Sequence, residues 1–404
     1  MRGTRHKLLS GIRTLLLWMV AATVIPSWAQ PLRIGLSGPF SGGSSPMGES
    51  MRNGVRLAVE EINATGGIHG QPIELIERDD QARNEQGAQV ATELVRLKVA
   101  ATIGIVNTGV GLASIDHYQA ARIPLLIAVS TGPALTRKFA PPNSKVNFIF
   151  RVSPTLDLEA AMLAAELKKR HLTRIALLAD DTSYGDSGVA AVVTAAGSVG
   201  IDIVATERFK IGATKMNDAL RRARNAGAQA VVASAIGPEL AQIATAMKSS
   251  RWSVPLLGSW TLSMRNFIDV AGSAAEGALM PQTFIQDAGS TAKNSFLLAY
   301  QRHFKAALIS SPMSAAQGYD GMHLLALALR QARSTDGDAI RQALENLGSR
   351  YQGAVTSYDR PFSATDHDAI TANMMVIGKV SAGRVDYAYR EDQRRSALLR
   401  VKSK

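Results

Sequence analysis

Short apolar segments alternate with amphipathic segments through most of this chain, and this alternation limits the folds that it can adopt. Residues 32–36 form a short, mostly apolar segment, and the apolar positions of residues 51–62 then recur at helical spacing. The same alternation restarts with Arg174-Ile175-Ala176-Leu177, which resembles the opening Arg33-Ile34-Gly35-Leu36. Such an order predicts parallel strands covered by helices on both faces. We therefore predict an α/β fold with two doubly wound parallel-sheet lobes joined by a multi-strand hinge.

The chain of 404 residues is too long for one ordinary domain, yet no long Pro-, Gly- or Ser-rich linker divides it. This combination predicts lobes that are joined by several crossings. Near the end, residues 374–380 and 384–389 predict a closing hairpin across Ser381-Ala382-Gly383. The predicted boundaries are 30–151 plus 282–354 for lobe 1, and 152–281 plus 355–404 for lobe 2.

The first 29 residues have the composition of a secretory signal peptide. Four basic residues and no acidic residue precede an apolar run at residues 15–25. Ser27-Trp28-Ala29 then supplies the small residues that signal peptidase cleavage before Gln30 would need. A retained membrane anchor is the alternative, but the run is short for a span. The chain contains no cysteine, which excludes lipid anchoring at the cleavage site and thiol chemistry. We predict an exported protein.

The net charge of +12 includes the signal peptide, and removal of its four basic residues leaves +8. Several of the remaining basic residues are close to the C-terminus, between Arg390 and Lys404. Nucleic-acid platforms interleave aromatic residues with basic ones, and this segment does not. We interpret it as a solvated end and predict no nucleic-acid partner.

Three patterns that resemble catalytic or cofactor motifs lack their essential partners. Gly185-Asp186-Ser187-Gly188 resembles the nucleophile loop of trypsin-like proteases, but it lies between a strand and a helix. Gly109-Val110-Gly111 has Ser114 where a dinucleotide fingerprint needs its third glycine. Residues 37–48 are glycine-rich without a Lys-Ser/Thr pair, and the seven histidines have no metal-binding spacing. We predict no catalysis, no cofactor and no metal.

Small polar residues follow two neighbouring strands of the first predicted sheet. Asn107-Thr108-Gly109 comes after one strand, and Ser130-Thr131-Gly132 comes after the next. Ligands of doubly wound sheets bind beyond the carboxyl ends of the strands. Hydroxyls and helix N-termini at that edge would bind an anion such as a carboxylate. Helix capping by Thr108 and Thr131 is the alternative.

Several short motifs, in one order along the chain, are similar to those of the branched-chain amino-acid-binding type of periplasmic receptor, which has a type I fold. The chain resembles this family over nearly all of its mature length. The motifs are Arg33-Ile34-Gly35-Leu36 with Gly38-Pro39 and Ser41-Gly42, Glu60-Glu61-Ile62-Asn63 with Gly66-Gly67-Ile68 and Gly70, Asp79-Asp80, Ile123-Pro124, Tyr184-Gly185, Ala274-Ala275-Glu276-Gly277 and Tyr319-Asp320.

The resemblance implies a set of ligand-binding residues. Thr108 and Thr131 match the hydroxyl residues that bind the ligand carboxylate in the family, and Val129 and Ser130 would line the same site with backbone groups. Tyr184 matches the tyrosine that closes over the ligand from lobe 2. A core tyrosine with a locally bonded hydroxyl is the alternative for this residue.

Three positions depart from the pattern of amino-acid-binding members. Trp260 stands where these members usually have an acid that binds the ligand ammonium, and Ile236 and Met47 replace aromatic residues. An unpaired buried ammonium is unfavourable. We therefore hypothesise an aromatic or branched organic acid as ligand, whereas Glu239 or Asp320 as counter-charge would permit a branched-chain or hydrophobic amino acid.

The resemblance implies a periplasmic receptor of an ATP-driven importer that binds a small carboxylate between its lobes by hinge closure. Its partners would be the small-molecule ligand and an inner-membrane permease of the ABC type, and the receptor would be a monomer in solution. Two alternatives are a ligand-sensing regulator of the same fold and a secreted serine hydrolase that uses Ser187.

Overall fold

The first half of the chain forms a five-stranded parallel sheet. A computed structural model describes residues 30–395 and 400–402, so the predicted signal peptide lies outside the described residues. The strand order is β2-β1-β3-β4-β5, which places the first strand inside the sheet with crossovers on both sides. The strands are Leu32–Gly38 (β1), Ile73–Asp79 (β2), Ala101–Gly104 (β3), Leu125–Ile127 (β4) and Ile149–Arg151 (β5).

Amphipathic helices cover this sheet. The first of them buries Met51, Val55, Ala58 and Ile62, whose spacing gave the sequence prediction. It packs against a long helix from much later in the chain, so that this lobe contains residues from both ends of the sequence. The helices are Ser45–Ala64 (α1), Asn84–Arg96 (α2), Thr108–Ala121 (α3) and Ala134–Arg137 (α4), and from the later part of the chain Thr291–Phe304 (α10), Pro312–Ala332 (α11) and Gly337–Glu345 (α12).

The second sheet has seven strands in the order β14-β13-β10-β9-β8-β6-β7. Its central strands are parallel, and the predicted closing hairpin adds two antiparallel strands at one edge. The strands are Arg174–Asp180 (β6), Asp202–Phe209 (β7), Ala230–Ser234 (β8), Leu256–Gly258 (β9), Leu279–Gln282 (β10), Val376–Ser381 (β13) and Arg384–Tyr387 (β14).

Helices also cover the second sheet, and the predicted fold class is confirmed. The short strands Tyr351–Gln352 (β11) and Ser357–Tyr358 (β12) pair with each other away from both large sheets. The helices of this region are Leu156–Lys169 (α5), Ser183–Val199 (α6), Asn217–Asn225 (α7), Pro238–Ser249 (α8), Arg265–Ala271 (α9) and Arg390–Arg395 (α13), and Trp260–Ser263 forms a 3₁₀ turn.

The chain passes between the two sheets at three places, after β5, after β10 and before β13. Before the last passage, Ala369 donates its backbone N–H to Arg151 O, and Arg151 donates its own to His367 O. Tyr358 and Phe362 belong to the hydrophobic core beneath the first sheet. The predicted lobe boundaries stay a prediction, and this packing favours placing the last passage near residue 376 instead of residue 355.

The described part of the basic C-terminus is held in place, so its interpretation as a solvated end is wrong for residues 400–402. Arg400 O accepts the backbone N–H of Ser357 at 3.1 Å, and Lys402 Nζ lies 2.7 Å from Asp366 Oδ2. These bonds fasten the end of the chain beside the segment that leads to β13. No helix within the described residues is long and apolar enough to cross a membrane.

Candidate functional site

The ends of β3 and β4 meet at one edge of the first sheet. Thr108 Oγ1 lies 3.1 Å from Ser130 Oγ, and the hydroxyl of Thr108 is buried against the turn that follows β4. A Cβ atom on Gly132 would lie 2.4 Å from Thr108 Cγ2, so only glycine permits this approach. The fold therefore brings Asn107-Thr108-Gly109, after β3, into direct contact with Ser130-Thr131-Gly132, after β4. We call these two segments the polar tips.

Neither of the two threonine side chains caps a helix. The residue that precedes α3 is Asn107, the residue that precedes α4 is Pro133, and neither helix has a side-chain cap. Thr131 Oγ1 and Asn107 Oδ1 are buried and have no hydrogen-bond partner among the described residues. The capping alternative is therefore wrong. Polar atoms are instead left unpaired beside the N-terminus of α3, where an anion is favoured.

Tyr184 reaches the same region from the second sheet. It follows Thr182, whose Oγ1 caps α6 by accepting the backbone N–H of Tyr184 at 3.2 Å. A Cβ atom on Gly185 would lie 2.0 Å from Asp180 O, so the Tyr-Gly pair permits a tight junction between β6 and α6. This junction holds Tyr184 at the carboxyl end of β6, and burial raises the pKa of its hydroxyl.

Thr108 and Tyr184 line opposite sides of one cleft, with Ile236 beside them. The cleft has a volume of about 760 Å³, which suits a small organic molecule. Helices α3 and α6 contact each other across it. Its charged lining residues are Arg83, Glu85, Asp181 and Glu239.

The remaining predicted residues are buried around the cleft. Met47, Val129 and Trp260 belong to one hydrophobic cluster, which Ile236 also contacts. Ser130 and Thr131 are 2% and 1% exposed and are not among the lining residues of the cleft, although Ser130 contacts Thr108, which does line it. The structure thus gathers Thr108, Tyr184 and Ile236 along the cleft. The ligand contacts of all eight residues stay predictions.

The two acids that could have supplied a counter-charge have other partners. Asp320 accepts hydrogen bonds from Ala354 N, Val355 N and Tyr358 Oη at 2.7, 2.8 and 3.2 Å, so it fixes the chain before β12 and cannot be the counter-charge. Glu239 lines the cleft, but its Oε1 accepts the backbone N–H of Gly212 at 2.6 Å.

Glu159 is an acid that the sequence reasoning missed. It lies in the first turn of α5 and is 1% exposed, and its Oε2 accepts the backbone N–H of Trp260 at 3.0 Å. Its Oε1 has no partner among the described residues. Burial raises the pKa of Glu159 to about 8, because the one hydrogen bond offsets little of the desolvation. The sequence did contain a feature that could have identified this acid, because Glu159 interrupts the apolar stripe that begins at Leu156.

Tyr184 and Glu159 are neighbours whose polar atoms do not satisfy each other. The Glu159 carboxyl is close enough to raise the pKa of the Tyr184 hydroxyl. Ser259 and Thr261 also lie near this hydroxyl, but they bond to each other at 2.9 Å, and Tyr184 Oη completes no hydrogen bond among the described residues. The alternative of a locally bonded core tyrosine stays open, because Ser259 and Thr261 are near enough to Tyr184 Oη to lower its pKa by hydrogen bonding.

The serine of the protease-like tetrapeptide lies inside α6. Its Oγ donates to Ser183 O at 2.8 Å, one turn earlier in the same helix. This bond directs the hydroxyl along its own helix. Among the described residues, no group of acids and histidines is placed to bind a metal ion.

The sequence and the structure are similar to those of known proteins. A sequence profile of the family described as periplasmic binding protein matches residues 31–384. The leucine-, isoleucine-, valine-, threonine- and alanine-binding protein of Pseudomonas aeruginosa is 24% identical over 344 residues, which are 82% of this chain and 89% of that protein.

Two solved structures share most of the fold. The periplasmic binding protein type 1 from Bordetella pertussis Tohama I has 26% sequence identity and a TM-score of 0.80, covering 88% of this chain and 100% of the other. An ABC transporter substrate-binding protein from Desulfitobacterium hafniense in complex with Leu has 25% identity and a TM-score of 0.72, covering 89% of this chain and 100% of the other.

Proposed function

Because the chain belongs to the periplasmic binding protein family, we propose that it is the solute receptor of an ATP-driven importer and binds a small carboxylate between its two lobes. It is a receptor and not an enzyme. The Pseudomonas aeruginosa relative is named for the amino acids that it binds, and the Desulfitobacterium hafniense structure contains Leu. Both names support a carboxylate-bearing solute for this chain.

One observation carries the proposal. The polar tip after β3 lines one cleft with Tyr184 from the second sheet, and the tip after β4 contacts Thr108 through Ser130. The cleft is of a size for a small solute. The tips offer Thr108 Oγ1, Thr131 Oγ1 and the N-terminus of the 14-residue helix α3. Hydroxyl donors and a helix N-terminus together favour a carboxylate over a neutral group.

Binding would proceed by closure of one lobe on the other. The carboxylate binds the tips of the first sheet, and Tyr184 then covers the solute from the second sheet. A solute that contacts both sheets binds the closed arrangement more tightly, and it therefore shifts the population of lobes towards closure. The three passages of the chain between the sheets supply the hinge.

Export and delivery follow from the same proposal. The predicted signal peptide is removed before Gln30, and the mature receptor works in the periplasm as a monomer without a lipid anchor. The closed form docks on an inner-membrane permease, which receives the solute.

The test is calorimetric titration of the mature protein with leucine, phenylalanine and benzoate, each compared with the amide in which a neutral carboxamide group replaces its carboxylate. At least one acid should bind, and its amide should bind at least tenfold more weakly. The variant Thr131→Val should reduce the affinity for that acid about tenfold or more, because it removes a charge-assisted hydrogen bond.

Ser187→Ala is the matched control, since it also removes one hydroxyl, but inside α6. This variant should bind the acid like the unmodified protein. Equal binding of acids and amides, or no binding of any of them, would contradict the proposed function.

A further inference from the structure

Buried acceptor groups that the carboxylate of a solute cannot satisfy lie at and beside the cleft: Asn107 lines it, and Glu159 is a neighbour of Tyr184, which also lines it. Glu159 Oε1 and Asn107 Oδ1 are acceptors without a partner among the described residues, and the nearby hydroxyls Thr131 Oγ1 and Tyr184 Oη are also unpaired. Carboxyl and amide oxygens need a donor from the ligand. A ligand that is only a carboxylate would bring further acceptors and no donor, and its negative charge would disfavour ionisation of Glu159.

Glu159 connects the two halves of the proposed site. Its helix begins with Leu156, whose backbone N–H donates to Thr131 O at 2.9 Å. Glu159 follows one turn later, which is roughly 5 Å along the helix axis. Its carboxyl neighbours Tyr184 and accepts the backbone N–H of Trp260. The acid is therefore close both to the anion-binding tips and to the residues of the second sheet.

From this placement we infer that Glu159 binds the ammonium group of the solute, and that the receptor therefore selects α-amino acids over the corresponding acids without an amino group. The inference rests on the proposed function. An ammonium group supplies three donors, and in an α-amino acid it lies one carbon away from the carboxylate that the tips bind. Glu159 thus supplies, from α5, the negative charge that the sequence lacks at Trp260.

The surroundings of Glu159 contain no competing cation among the described elements. From α6 it faces Tyr184, and from the 3₁₀ turn it faces the Trp260 N–H. Strand β10, which packs on α5, contributes Leu-Met-Pro-Gln and thus no titratable side chain. The ligand is then the group that supplies positive charge, and the N-terminal turn of α5 favours the ionised form of Glu159.

A protonation change accompanies this binding. Without ligand, burial raises the pKa of Glu159 to about 8, so that the carboxyl is mostly protonated at pH 7. An ammonium in contact lowers this pKa and ionises the acid. Binding therefore releases a proton, and affinity for the amino acid rises with pH until the free carboxyl is itself ionised, near pH 8.

The experiment compares matched pairs of ligands on matched variants. Leucine and 4-methylpentanoate, and phenylalanine and 3-phenylpropanoate, are titrated into the mature protein and into its Glu159→Gln variant. We expect the amino acid of at least one pair to bind at least about 100-fold more tightly than its partner acid, because a buried ion pair is formed only by the amino acid. Glu159→Gln should remove most of this difference, since the amide keeps an acceptor for Trp260 but not the charge.

Two further variants and a change of buffer make the test specific. Glu166→Gln alters another buried acid of α5, which bonds to Arg170 and Tyr389, and it should leave both affinities unchanged. Glu239→Gln tests the acid at the cleft wall and should change the preference by less than tenfold. Titrations in two buffers of different ionisation heat should detect up to one proton released for each amino acid bound at pH 7, and none in the Glu159→Gln variant.

The outcomes separate this inference from the proposed function. If a deaminated acid binds as tightly as its amino acid, or if Glu159→Gln leaves the preference intact, the inference is overturned while the proposed function stands. If Glu239→Gln removes the preference instead, the ammonium binds Glu239 and the inference is again overturned. If neither member of either pair binds, the proposed function fails, and the inference fails with it.

Discussion

Asp320 and Glu159 are two of the acids that are buried almost completely among the described residues, and they have very different surroundings. Asp320 on α11 is 0% exposed and receives three hydrogen bonds, two of them from backbone N–H groups. Glu159 on α5 is 1% exposed and receives one. Burial raises the pKa of Asp320 to about 6 and that of Glu159 to about 8. The three donors offset more of the desolvation than the single donor does.

The difference separates a structural acid from the acid that we propose binds the ligand. A buried carboxylate is tolerated when its lone pairs are filled from within the protein, as those of Asp320 are. Glu159 has one unpaired carboxyl oxygen and lies beside the unpaired hydroxyl of Tyr184, so a donor from a ligand would stabilise its ionised form. The number of hydrogen-bond donors around each carboxyl group therefore distinguishes these two acids, whereas their burial does not.

The largest effect on stability is expected for Asp320, because both of its carboxylate oxygens accept hydrogen bonds from within the protein. Asp320→Ala removes the acceptor of Ala354 N–H, Val355 N–H and Tyr358 Oη, so we expect the free energy of unfolding to fall by roughly 3–5 kcal/mol. Urea denaturation followed by circular dichroism measures this loss. Asp359→Ala removes an exposed acid that pairs with Arg350, and it should change stability by less than about 1 kcal/mol. Losses of equal size for the two variants would contradict the structural role of Asp320.

A smaller effect of opposite sign is expected at Glu159 in the absence of ligand. The pKa of this acid is raised from 4.5 to about 8 in the folded protein. The folded state therefore binds a proton that the unfolded state loses, and its contribution to stability decreases as the pH rises from 4.5 through 8. Glu159→Gln removes this penalty, so the variant should match the unmodified protein at pH 4.5 and exceed its unfolding free energy by roughly 2–4 kcal/mol at pH 8.

The measurement is urea denaturation of both proteins across this pH range. Glu166→Gln provides the contrast, because its carboxylate is paired with Arg170 and bonded to Tyr389, and its loss should destabilise the protein at pH 8. Parallel pH curves for the unmodified protein and Glu159→Gln would show that Glu159 titrates normally in the folded chain.

Much of the fold was accessible from the sequence because helix and strand periods are local properties. The stripe from Met51 to Ile62 and the hairpin around residues 381–383 form as predicted. The last passage between the sheets is harder to predict from the sequence because it has no periodicity of its own. It is fixed by pairing between residues 367–369 and Arg151, more than 200 positions apart, and no local pattern encodes such a contact.

The positions of two candidate site residues were accessible from the sequence for a related reason, whereas their ligand contacts stay predictions. Polar residues at strand ends marked Thr108 and the tip at Thr131, because topology alone brings the carboxyl ends of parallel strands to one edge. The roles of Asp320 and Glu159 depend on which donors surround each acid, and those donors come from Ala354, Val355 and Trp260. The sequence reasoning considered the first acid as a counter-charge and passed over the second, although a charge on an apolar stripe is itself unusual.

The smallest effects are expected for two tyrosine hydroxyls that border the two acids. Tyr358 donates a hydrogen bond to Asp320, and Tyr358→Phe should lower the free energy of unfolding by about 0.5–1.5 kcal/mol without changing ligand affinity.

Tyr184 Oη is buried and unpaired among the described residues, so Tyr184→Phe should change the stability of the free protein by less than about 0.5 kcal/mol. The same variant should weaken ligand binding about three- to tenfold, because the hydroxyl finds its partner in the ligand. Thermal denaturation and calorimetry of both variants measure the two quantities, and a loss of stability in Tyr184→Phe with unchanged affinity would make Tyr184 a structural residue like Tyr358.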